Sequence, residues 1–382
     1  MDPAELHVRY APVLHFARAE SFYPMGVGDF LSYAALFSRD QTEPTVPRGQ
    51  VRAEHLARSL AGEAFLRSVD RGPLWGGEVA REWGSDTLRA VNRWAQSPTG
   101  ALSEILSRQL YDWFSARTSR AAQLFWWNRF LIPAGPGEGD RPSDLPRFRL
   151  PSITHDSAVE NYEASRGPRP RCTYHYRLAP MGDYVALQYW FFYAFNDWAN
   201  AFGGLNDHEG DWEAMQILFR REAGNRPVEP PAYVCYLGHQ SRITKPWEHP
   251  DIQRSGTHPH VYVAAGSHAS YPECKPYTIM SLYNLVDYAT GDGLTLDHQD
   301  WGGRLDLDAN PWVCDYRGSW GTRYWLSMAW LRRALSGLGG EAAGEISLPG
   351  VSAPRGPRYD DQGHERETWA DTVHFAGLGG AP

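Results

Sequence analysis

The chain has 382 residues, of which 42% are hydrophobic and 21% are charged. This composition is typical of a globular protein with a sizeable core, and it excludes a disordered chain, a collagen and a coiled coil. The net charge of −8 comes from 45 acidic and 37 basic residues. Because no run of bases suggests a positively charged groove, we expect no nucleic-acid partner.

The sequence also indicates a compartment. No stretch approaches the ~20 apolar residues that a membrane span needs, so we expect no transmembrane segment. The first ten residues carry Asp2, Glu5 and Arg9 and lack the apolar region of a signal peptide. The four cysteines form no CxxC pair, so they predict reduced thiols in a cytoplasmic protein. Only two of the 37 basic residues are lysines, which hints at a GC-rich bacterial gene.

The first half of the chain divides into three parts by composition. Residues 1–50 read as an extended lead-in with turns, the N-terminal part of a β core. Residues 51–131 contain apolar side chains at helical spacing, as in "ALSEILSRQLYDWF", and predict a helical insertion of two to four helices. Residues 132–171 begin with a segment dense in Pro and Gly, which predicts a linker or long loop.

The second half changes to a period of two residues. Strand-like runs occur at "DYVALQYWFFYAF", "DWEAMQILFR", "AYVCYLGH" and "HVYVAAGS". Four such runs without intervening helices favour an antiparallel sandwich over 172–360, with a last helix at 323–338 and a tail at 361–382. The predicted fold class is therefore mainly β with α (α+β), an antiparallel β-sandwich core with a helical insertion.

Acidic side chains concentrate in the block "FNDWANAFGGLNDHEGDWEAM". If a strand begins at Asp211, then Asp211 and Glu213 share one face with the apolar Met215. Carboxylates on a half-buried face need a cation or strong hydrogen-bond donors, because burying unpaired charge is costly. His208 lies in the preceding turn and could close over them. The alternative is a solvated acidic turn whose carboxylates cap backbone N–H groups.

Histidines form a second concentration, in "GTHPHVYVAAGSHASYP". His258 and His260 share a strand parity, and His268 follows in the next turn. A histidine pair at i and i+2 is found in metal sites but is equally common on the surface of a sheet. His239 ends another strand, where a histidine is usually a hydrogen-bonded turn residue. The chain contains no GxSxG, GxxxxGK[ST] or HExxH motif.

Several blocks together resemble a known family. "ALQYWFFYAFND", "DHEGDWEAMQI", "HPHVYVAAGSHASYP" and "YRGSWG", with the N-terminal "YAPVLHFARAESFYP" and the late "APRGPRY", resemble the vacuolar-protein-sorting "sixty-two" family. That poorly characterised family is in turn distantly similar to the necrosis-inducing Nep-like toxins. Those toxins are β-sandwich proteins with a GHRHDWE motif and a bound divalent cation. The resemblance therefore implies a β-sandwich core of the necrosis-inducing-protein type.

The resemblance also implies a metal site. Carried over by motif, it places His208, Asp211 and Glu213 among the metal ligands and Asp197 at the upstream aspartate. His239 resembles a downstream strand-end histidine. A set of three carboxylates and one imidazole favours Mg²⁺, Ca²⁺ or Mn²⁺ over Zn²⁺.

The motif departs from that of the toxins in two places. Gly210 stands in place of a histidine and Glu209 in place of an arginine, and the chain shows no export signal. Toxin activity is therefore not expected. The nearby acid–base candidates are the remaining histidines, because imidazole titrates near neutral pH: His239, His258, His260 and His268.

Three functions stay open at this point. The first is a metal-dependent enzyme acting on a small, partly apolar substrate in an aromatic-lined cleft, by hydrolysis, cyclisation or isomerisation, in specialised metabolism. The second is a non-catalytic protein that uses a divalent cation to bind a glycan or lipid headgroup. The third is an accessory role in membrane traffic, suggested by the family name alone. The expected partner is thus a small-molecule or lipid-like ligand.

Overall fold

The structure, a computed structural model, describes residues 5–18, 20–39, 41, 43–59, 64–68, 152–166, 171–198, 208–238, 241–280, 285–322, 325–326, 346–347, 353–360 and 363–379. The strands in these ranges are β1 Val13–His15, β2 Ala35–Ser38, β3 Ala64–Arg67, β4 Thr173–Met181, β5 Tyr184–Asn196, β6 His208–Glu222, β7 Arg226–Gly238, β8 Ser241–Pro246, β9 Arg254–Ser255, β10 His258–Val263, β11 Ser270–Tyr271, β12 Lys275–Met280, β13 Leu285–Ala289, β14 Thr295–Leu296, β15 Gly303–Asp306, β16 Trp325–Leu326 and β17 Ile346–Ser347. The helices are α1 Leu6–Arg9, α2 Val27–Leu31, α3 Ala53–Arg58, α4 Ser152–Arg166, α5 Pro311–Asp315, α6 Glu367–Ala370 and α7 Thr372–Phe375.

Two sheets form the centre of the molecule. The larger has six strands in the order β15-β4-β5-β6-β7-β8, and the smaller contains β11-β10-β1-β14 with β9 paired to β10. Neighbouring strands are antiparallel except for β15 beside β4 and β1 beside β10. The long β5–β6 hairpin brings Tyr193 opposite Asp211 and Phe191 opposite Glu213.

The two sheets pack face to face, as the alternation of apolar residues predicts. Val185, Leu187 and Tyr189 of β5 and Met215 and Ile217 of β6 all point into one core. The smaller sheet contributes Leu14, Val261, Val263 and Leu296 to the same core. The predicted α+β class with a β-sandwich core is therefore confirmed.

The opposite face of the six-stranded sheet is covered by helices. Trp190, Phe192 and Trp212 of this face join a second core with residues of α2, α4 and α5. The large sheet is thus buried on both faces, which explains the near-continuous apolar run of β5. No helix in the described ranges has the length and apolar character that crossing a bilayer would require.

Two boundaries in the first half differ from the prediction. β3 lies inside the predicted 51–131 insertion, yet it pairs with β2, so the β part of the fold extends past residue 50. The helix α4 lies inside the predicted 132–171 linker. Its Ala158 and Tyr162 are buried in the second core, while its polar residues hid the helical period. The segment 69–151, with the predicted helices of the insertion, lies outside the described residues.

The C-terminal prediction also needs correction. Trp325–Leu326 pairs with Ile346–Ser347 as a short strand where a helix was predicted, and residues 327–340 lie outside the described residues. The predicted tail contains α6 and α7, which pack on the sheet. Gln188 and Gln216 both donate hydrogen bonds to the carbonyl oxygen of Thr368, at 3.1 and 2.8 Å. Helices of four residues are too short to show a helical period.

Candidate functional site

Gly210 turns the start of β6 so that neighbouring acids face different sides. Its φ is +62°, and a Cβ there would lie 2.2 Å from the carbonyl oxygen of Trp320. Such a backbone is accessible to glycine at low energy. Phe195, opposite Glu209, belongs to the helix-side core, whereas Tyr193, opposite Asp211, belongs to the sandwich core.

Glu209 is accordingly a structural residue. One carboxylate oxygen accepts hydrogen bonds from the backbone N–H and hydroxyl of Ser68, at 2.9 and 2.7 Å. The other accepts from the backbone N–H of Thr322 at 2.9 Å and from its hydroxyl. These bonds fasten the segments around β3 and Thr322 to β6. Asp211, two residues further on, faces the sandwich interior instead, because the turn at Gly210 lies between the two acids.

Asp211 is one end of a buried chain of charged groups. Its Oδ2 lies 3.0 Å from Nδ1 of His268, and the other ring nitrogen, Nε2, lies 3.4 Å from Oε1 of Glu20. All three side chains are almost completely buried. Asn196 adds a hydrogen bond from Nδ2 to the same Asp211 oxygen at 3.0 Å. Since both ring nitrogens face carboxylates, His268 is an imidazolium that bridges two anions.

The pKa values agree with this charge assignment. Burial alone would lower the pKa of His268, but the charge of Glu20 and the hydrogen bond to Asp211 raise it to about 9. Burial would raise the pKa of Glu20, but the charge of His268 and three hydrogen bonds lower it to about 2. The pKa of Asp211 is lowered too: burial raises it, but the hydrogen bonds from His268 and Asn196 and the nearby charges of His208 and His268 together outweigh burial.

Packing and backbone conformation also fix the position of the His268 ring. It stacks on Tyr193 with the ring centroids 3.8 Å apart and the planes 5° apart. Its backbone has a φ of +57°, which is rare for a residue other than glycine. The backbone N–H of Gly266 donates to Oε2 of Glu20 at 3.0 Å. This turn between β10 and β11 therefore places the imidazolium in one orientation.

Two further acids complete what we call the acid cluster: Glu20, Asp211, Glu213, Asp287 and His268. Asp287 of β13 is fully buried and accepts hydrogen bonds from Ser267 at 2.8 Å and Tyr271 at 2.6 Å. Glu213 is half-buried. Burial, followed by the charges of Asp211 and Asp287, raises the pKa of Glu213 well above its ordinary value. Glu213 is thus the member of the cluster whose neighbours most disfavour its charged form.

The two other predicted ligands lie at the borders of this cluster. Asp197 is buried, and its backbone N–H donates to the carbonyl oxygen of Gly266 at 2.9 Å. His208 is half-buried, and its Nδ1 donates to the carbonyl oxygen of Gly210 at 2.8 Å. A carbonyl can only accept, so Nε2 of neutral His208 carries the lone pair that a metal would bind. Across the ranges that the structure describes, no three His, Cys, Asp or Glu side chains are grouped as ligands of one metal ion.

The predicted acid–base histidines do not gather in one place. His268 joins the acid cluster, but its imidazolium is already protonated between two carboxylates. His258 and His260 alternate with Val261 and Val263, which face the sandwich core, so they lie on the outer face of the smaller sheet. His239 lies outside the described residues.

Sequence reasoning missed two members of the cluster, Glu20 and Asp287. Glu20 lies in the N-terminal block "ARAESFYP", and the family resemblance of this block implies no role for the acid. Asp287 interrupts the strand "LVDYA", where an acid within an apolar run could have signalled a buried charge. In both cases the partner residues are distant in sequence, so spacing offered no clue.

Comparisons with known proteins give a limited result. No family model matches the chain, and no curated protein matches it. Among solved structures, the chain is similar to "Necrosis and Ethylene inducing Protein 2 from the causal agent of cocoa's Witches Broom disease", at 13% identity and a TM-score of 0.25. That match covers 38% of this chain and 60% of the other.

Two further matches are structures of NLPPya, one in complex with glucosamine and one with mannosamine, each at 11% identity and a TM-score of 0.20. They cover 30% and 31% of this chain and 42% and 43% of the other chains. In each of the three matches the chain spans less than two thirds of the solved structure. Scores at this level carry no argument about function.

Proposed function

We propose that the acid cluster binds a divalent cation and that the cation holds a polar, hydroxyl-rich ligand such as a glycan or a lipid headgroup. The observation that carries the proposal is the grouping of carboxyl groups: Glu20 and Asp211 face the imidazolium of His268, and the charges of Asp211 and Asp287 act on the neighbouring Glu213. His268 neutralises Glu20 and Asp211, whereas the pKa of Glu213 is raised by burial and by the charges of Asp211 and Asp287. A cation beside Glu213 would favour its charged form and offset the repulsion from Asp211 and Asp287.

The donor set fits a hard cation. Glu213 and Asp211 offer carboxylate oxygens on one face of β6, with buried Asp197 in the adjoining segment and the Nε2 lone pair of His208 at the rim. Oxygen-rich sets of this kind favour Mg²⁺, Ca²⁺ or Mn²⁺ over Zn²⁺. These four residues are the proposed ligands: Asp211 and Glu213 belong to the acid cluster, and Asp197 and His208 border it. In the described part of the structure they are not grouped around one point, so the proposal requires a bound cation to draw them together. Bound there, the cation would supply positive charge and open coordination positions for ligand oxygens.

The ligand would enter from the partly exposed side of the cluster. Glu213 and His208 are the half-buried members of the set, so they mark where solvent and a ligand reach it. The hydroxyl of Tyr193 is buried and has no hydrogen-bond partner within the described residues. It lies over His268 and is a ready donor for a ligand oxygen. Hydroxyl and carboxylate oxygens are the groups that such a cation binds well.

The experiment is a calorimetric titration with Ca²⁺, Mg²⁺ and Mn²⁺ of the wild type and of Glu213→Gln. Glutamine imitates the protonated side chain, so this variant should fold normally and bind the cation at least about tenfold more weakly. Asp251→Asn, which removes a half-exposed carboxylate paired with Lys245, is the matched control and should bind like the wild type. Equal affinity in wild type and Glu213→Gln would refute the cation site.

A second titration tests the ligand. A glycan array and lipid vesicles should be bound in the presence of the best cation and released by a chelator. If the ligand stays bound after the chelator is added, ligand binding does not depend on the cation. Membership of the vacuolar-protein-sorting "sixty-two" family and a cytoplasmic location are further proposals; the first rests on the sequence blocks and the second on the four cysteines, which form no CxxC pair.

A second candidate function is a metal-dependent enzyme acting on a small, partly apolar substrate. One observation favours it: Asp211 has a lowered pKa and Glu213 a raised one, although they share one strand face. Carboxyl pairs with separated pKa values serve as acid and base in several enzyme classes. Incubation of each array hit with cation-loaded protein, followed by mass spectrometry, would reveal turnover. Products formed by the wild type and absent with Glu213→Gln would favour the enzyme.

A further inference from the structure

The outer face of the smaller sheet carries a pair of histidines from parallel neighbouring strands. His15 ends β1, and His260 lies in β10, one position before the valine that enters the sandwich core. Tyr262, on the same outer face, stacks under His15 with the ring centroids 4.7 Å apart. Both histidines are half-buried, so solvent and a small ion reach them. This pair belongs to a different face of the molecule from the acid cluster.

The inner nitrogens of the two rings nearly touch. Nε2 of His15 lies 3.1 Å from Nδ1 of His260. Two imidazole nitrogens that bind one tetrahedral Zn²⁺ at about 2.0–2.1 Å lie roughly 3.3 Å apart. The observed separation is therefore close to that of two ligands on one ion.

The outer nitrogens are each held by a hydroxyl. Nδ1 of His15 lies 3.2 Å from Oγ1 of Thr295, and Nε2 of His260 lies 2.9 Å from Oγ of Ser255. Metal-binding imidazoles characteristically donate their other N–H to such a partner, which fixes the ring and its tautomer. When both outer N–H groups donate to these hydroxyls, both inner lone pairs face the same point. Without a metal, one ring instead donates its inner N–H to the other at 3.1 Å; a shared cation needs both inner nitrogens as lone pairs.

Both rings are neutral in their surroundings. Burial, with a smaller effect from the charge of His260, lowers the pKa of His15 to about 4. Burial also lowers the pKa of His260, against an opposing effect of Asp297. Neutral imidazole is the metal-binding form, so no proton has to leave at pH 7. His258 and His298, which stack on each other with centroids 3.6 Å apart, lie in the same region.

We propose that His15 and His260 form a two-imidazole site for a borderline transition metal, Cu²⁺, Ni²⁺ or Zn²⁺, with water completing the coordination. Nitrogen donors favour these ions over Ca²⁺ and Mg²⁺, and Cu²⁺ should bind most tightly. The site would thus select a class of ion different from that of the acid cluster. Two protein ligands and an open, half-exposed side leave positions for an external ligand.

The test is a Cu²⁺ titration in excess Ca²⁺, followed by calorimetry and by electron paramagnetic resonance. Wild type is compared with His15→Gln and His260→Gln, and His364→Gln, an exposed histidine paired with Asp360, serves as the control. We expect a site whose affinity falls at least about tenfold in both variants and is unchanged in the control. The spectrum should show two coordinated nitrogens that are lost in either variant.

Two results would overturn the proposal. One is an equal Cu²⁺ affinity in the wild type and in either variant, with the far-ultraviolet circular dichroism of all proteins unchanged. The other is loss of the nitrogen signal in His258→Gln with retention in His15→Gln, which would assign the ion to the His258–His298 stack. The resonance spectrum reports the bound nitrogens directly, so it separates lost ligation from any small change in stability.

Discussion

The acid cluster and the outer histidine pair hold the same residue type in opposite charge states. His268 is fully buried and yet has a pKa of about 9, because two carboxylates face its ring. His15 has a pKa of about 4, because burial, and to a smaller extent His260, disfavours its charged form, and no carboxylate among the described residues faces its ring to offset this. The contrast shows that two facing carboxylates can outweigh burial at His268, whereas burial without them keeps His15 neutral. The different surroundings also explain why we propose a hard cation for the acid cluster and a transition metal for the outer histidine pair.

The largest expected effect is the loss of the imidazolium. His268→Gln leaves Glu20 and Asp211 as buried charges without their cationic partner, which should reduce the free energy of unfolding by about 3–5 kcal/mol. His15→Gln removes one neutral, half-exposed hydrogen bond and should cost about 1 kcal/mol or less. Urea unfolding at pH 7 measures both. Similar losses in the two variants would mean that His268 is not a charged bridge.

A smaller effect is expected from the glycine that orients Asp211. Gly210→Ala adds a left-handed backbone penalty and a clash with the Trp320 carbonyl, so we expect a loss of about 3 kcal/mol. Gly256, beside the outer histidine pair, also has a positive φ but no atom within 4 Å of its added Cβ. Gly256→Ala should therefore cost about 1–2 kcal/mol from the backbone alone. Equal costs in urea unfolding would show that the packing at Gly210 is unimportant.

The two regions should also respond to pH with opposite signs. The folded-state pKa of His268, about 9, lies above its ordinary value of 6.5, so its stabilisation is complete below pH 6.5 and is lost as pH rises through 9. The loss should be on the order of 2–3 kcal/mol. The folded-state pKa of His15, about 4, lies below 6.5, so stability is lost as pH falls from 6.5 through 4.

Thermal unfolding between pH 4 and 10 measures both losses of stability. His268→Gln should reduce the loss of stability at alkaline pH, and His15→Gln should reduce the loss between pH 6.5 and 4. Glu20, with a pKa of about 2, adds a separate loss as pH falls below 4.5. If His15→Gln instead changes the loss of stability at alkaline pH, the assignment of a neutral His15 and a cationic His268 is wrong.

The smallest expected effect concerns a hydroxyl that holds an outer nitrogen. Ser255→Ala removes the partner of Nε2 of His260 and should weaken Cu²⁺ binding by about tenfold. Because Ser255 is exposed, the free energy of unfolding should change by less than about 0.5 kcal/mol. Ser32→Ala, at an exposed turn, is a matched control for the loss of a hydroxyl. Unchanged Cu²⁺ affinity in Ser255→Ala would argue against ligation by His260.

The sequence predicted those parts of the structure that depend on local periodicity. The alternation in β5 and β6 correctly placed Met215 and Asp211 on one face, because a strand repeats every two residues. The same rule does not tell which strand faces pack together. It therefore could not show that His268 lies in the acid cluster while His258 and His260 lie on the outer face of the smaller sheet. The acid cluster needed Glu20 and Asp287, whose contacts come from tertiary structure alone. The short helices α6 and α7 gave no periodic signal to find.

The most direct test of the central proposal counts the protons released when a cation binds. Calorimetric Ca²⁺ titrations at pH 7 in two buffers of different ionisation enthalpy give this number. We predict that the wild type releases protons when it binds the cation, and that Glu213→Gln binds more weakly and releases fewer, since a cation would lower the raised pKa of Glu213. His15→Gln should behave like the wild type. Binding without proton release in the wild type, or the same release in Glu213→Gln, would contradict this prediction.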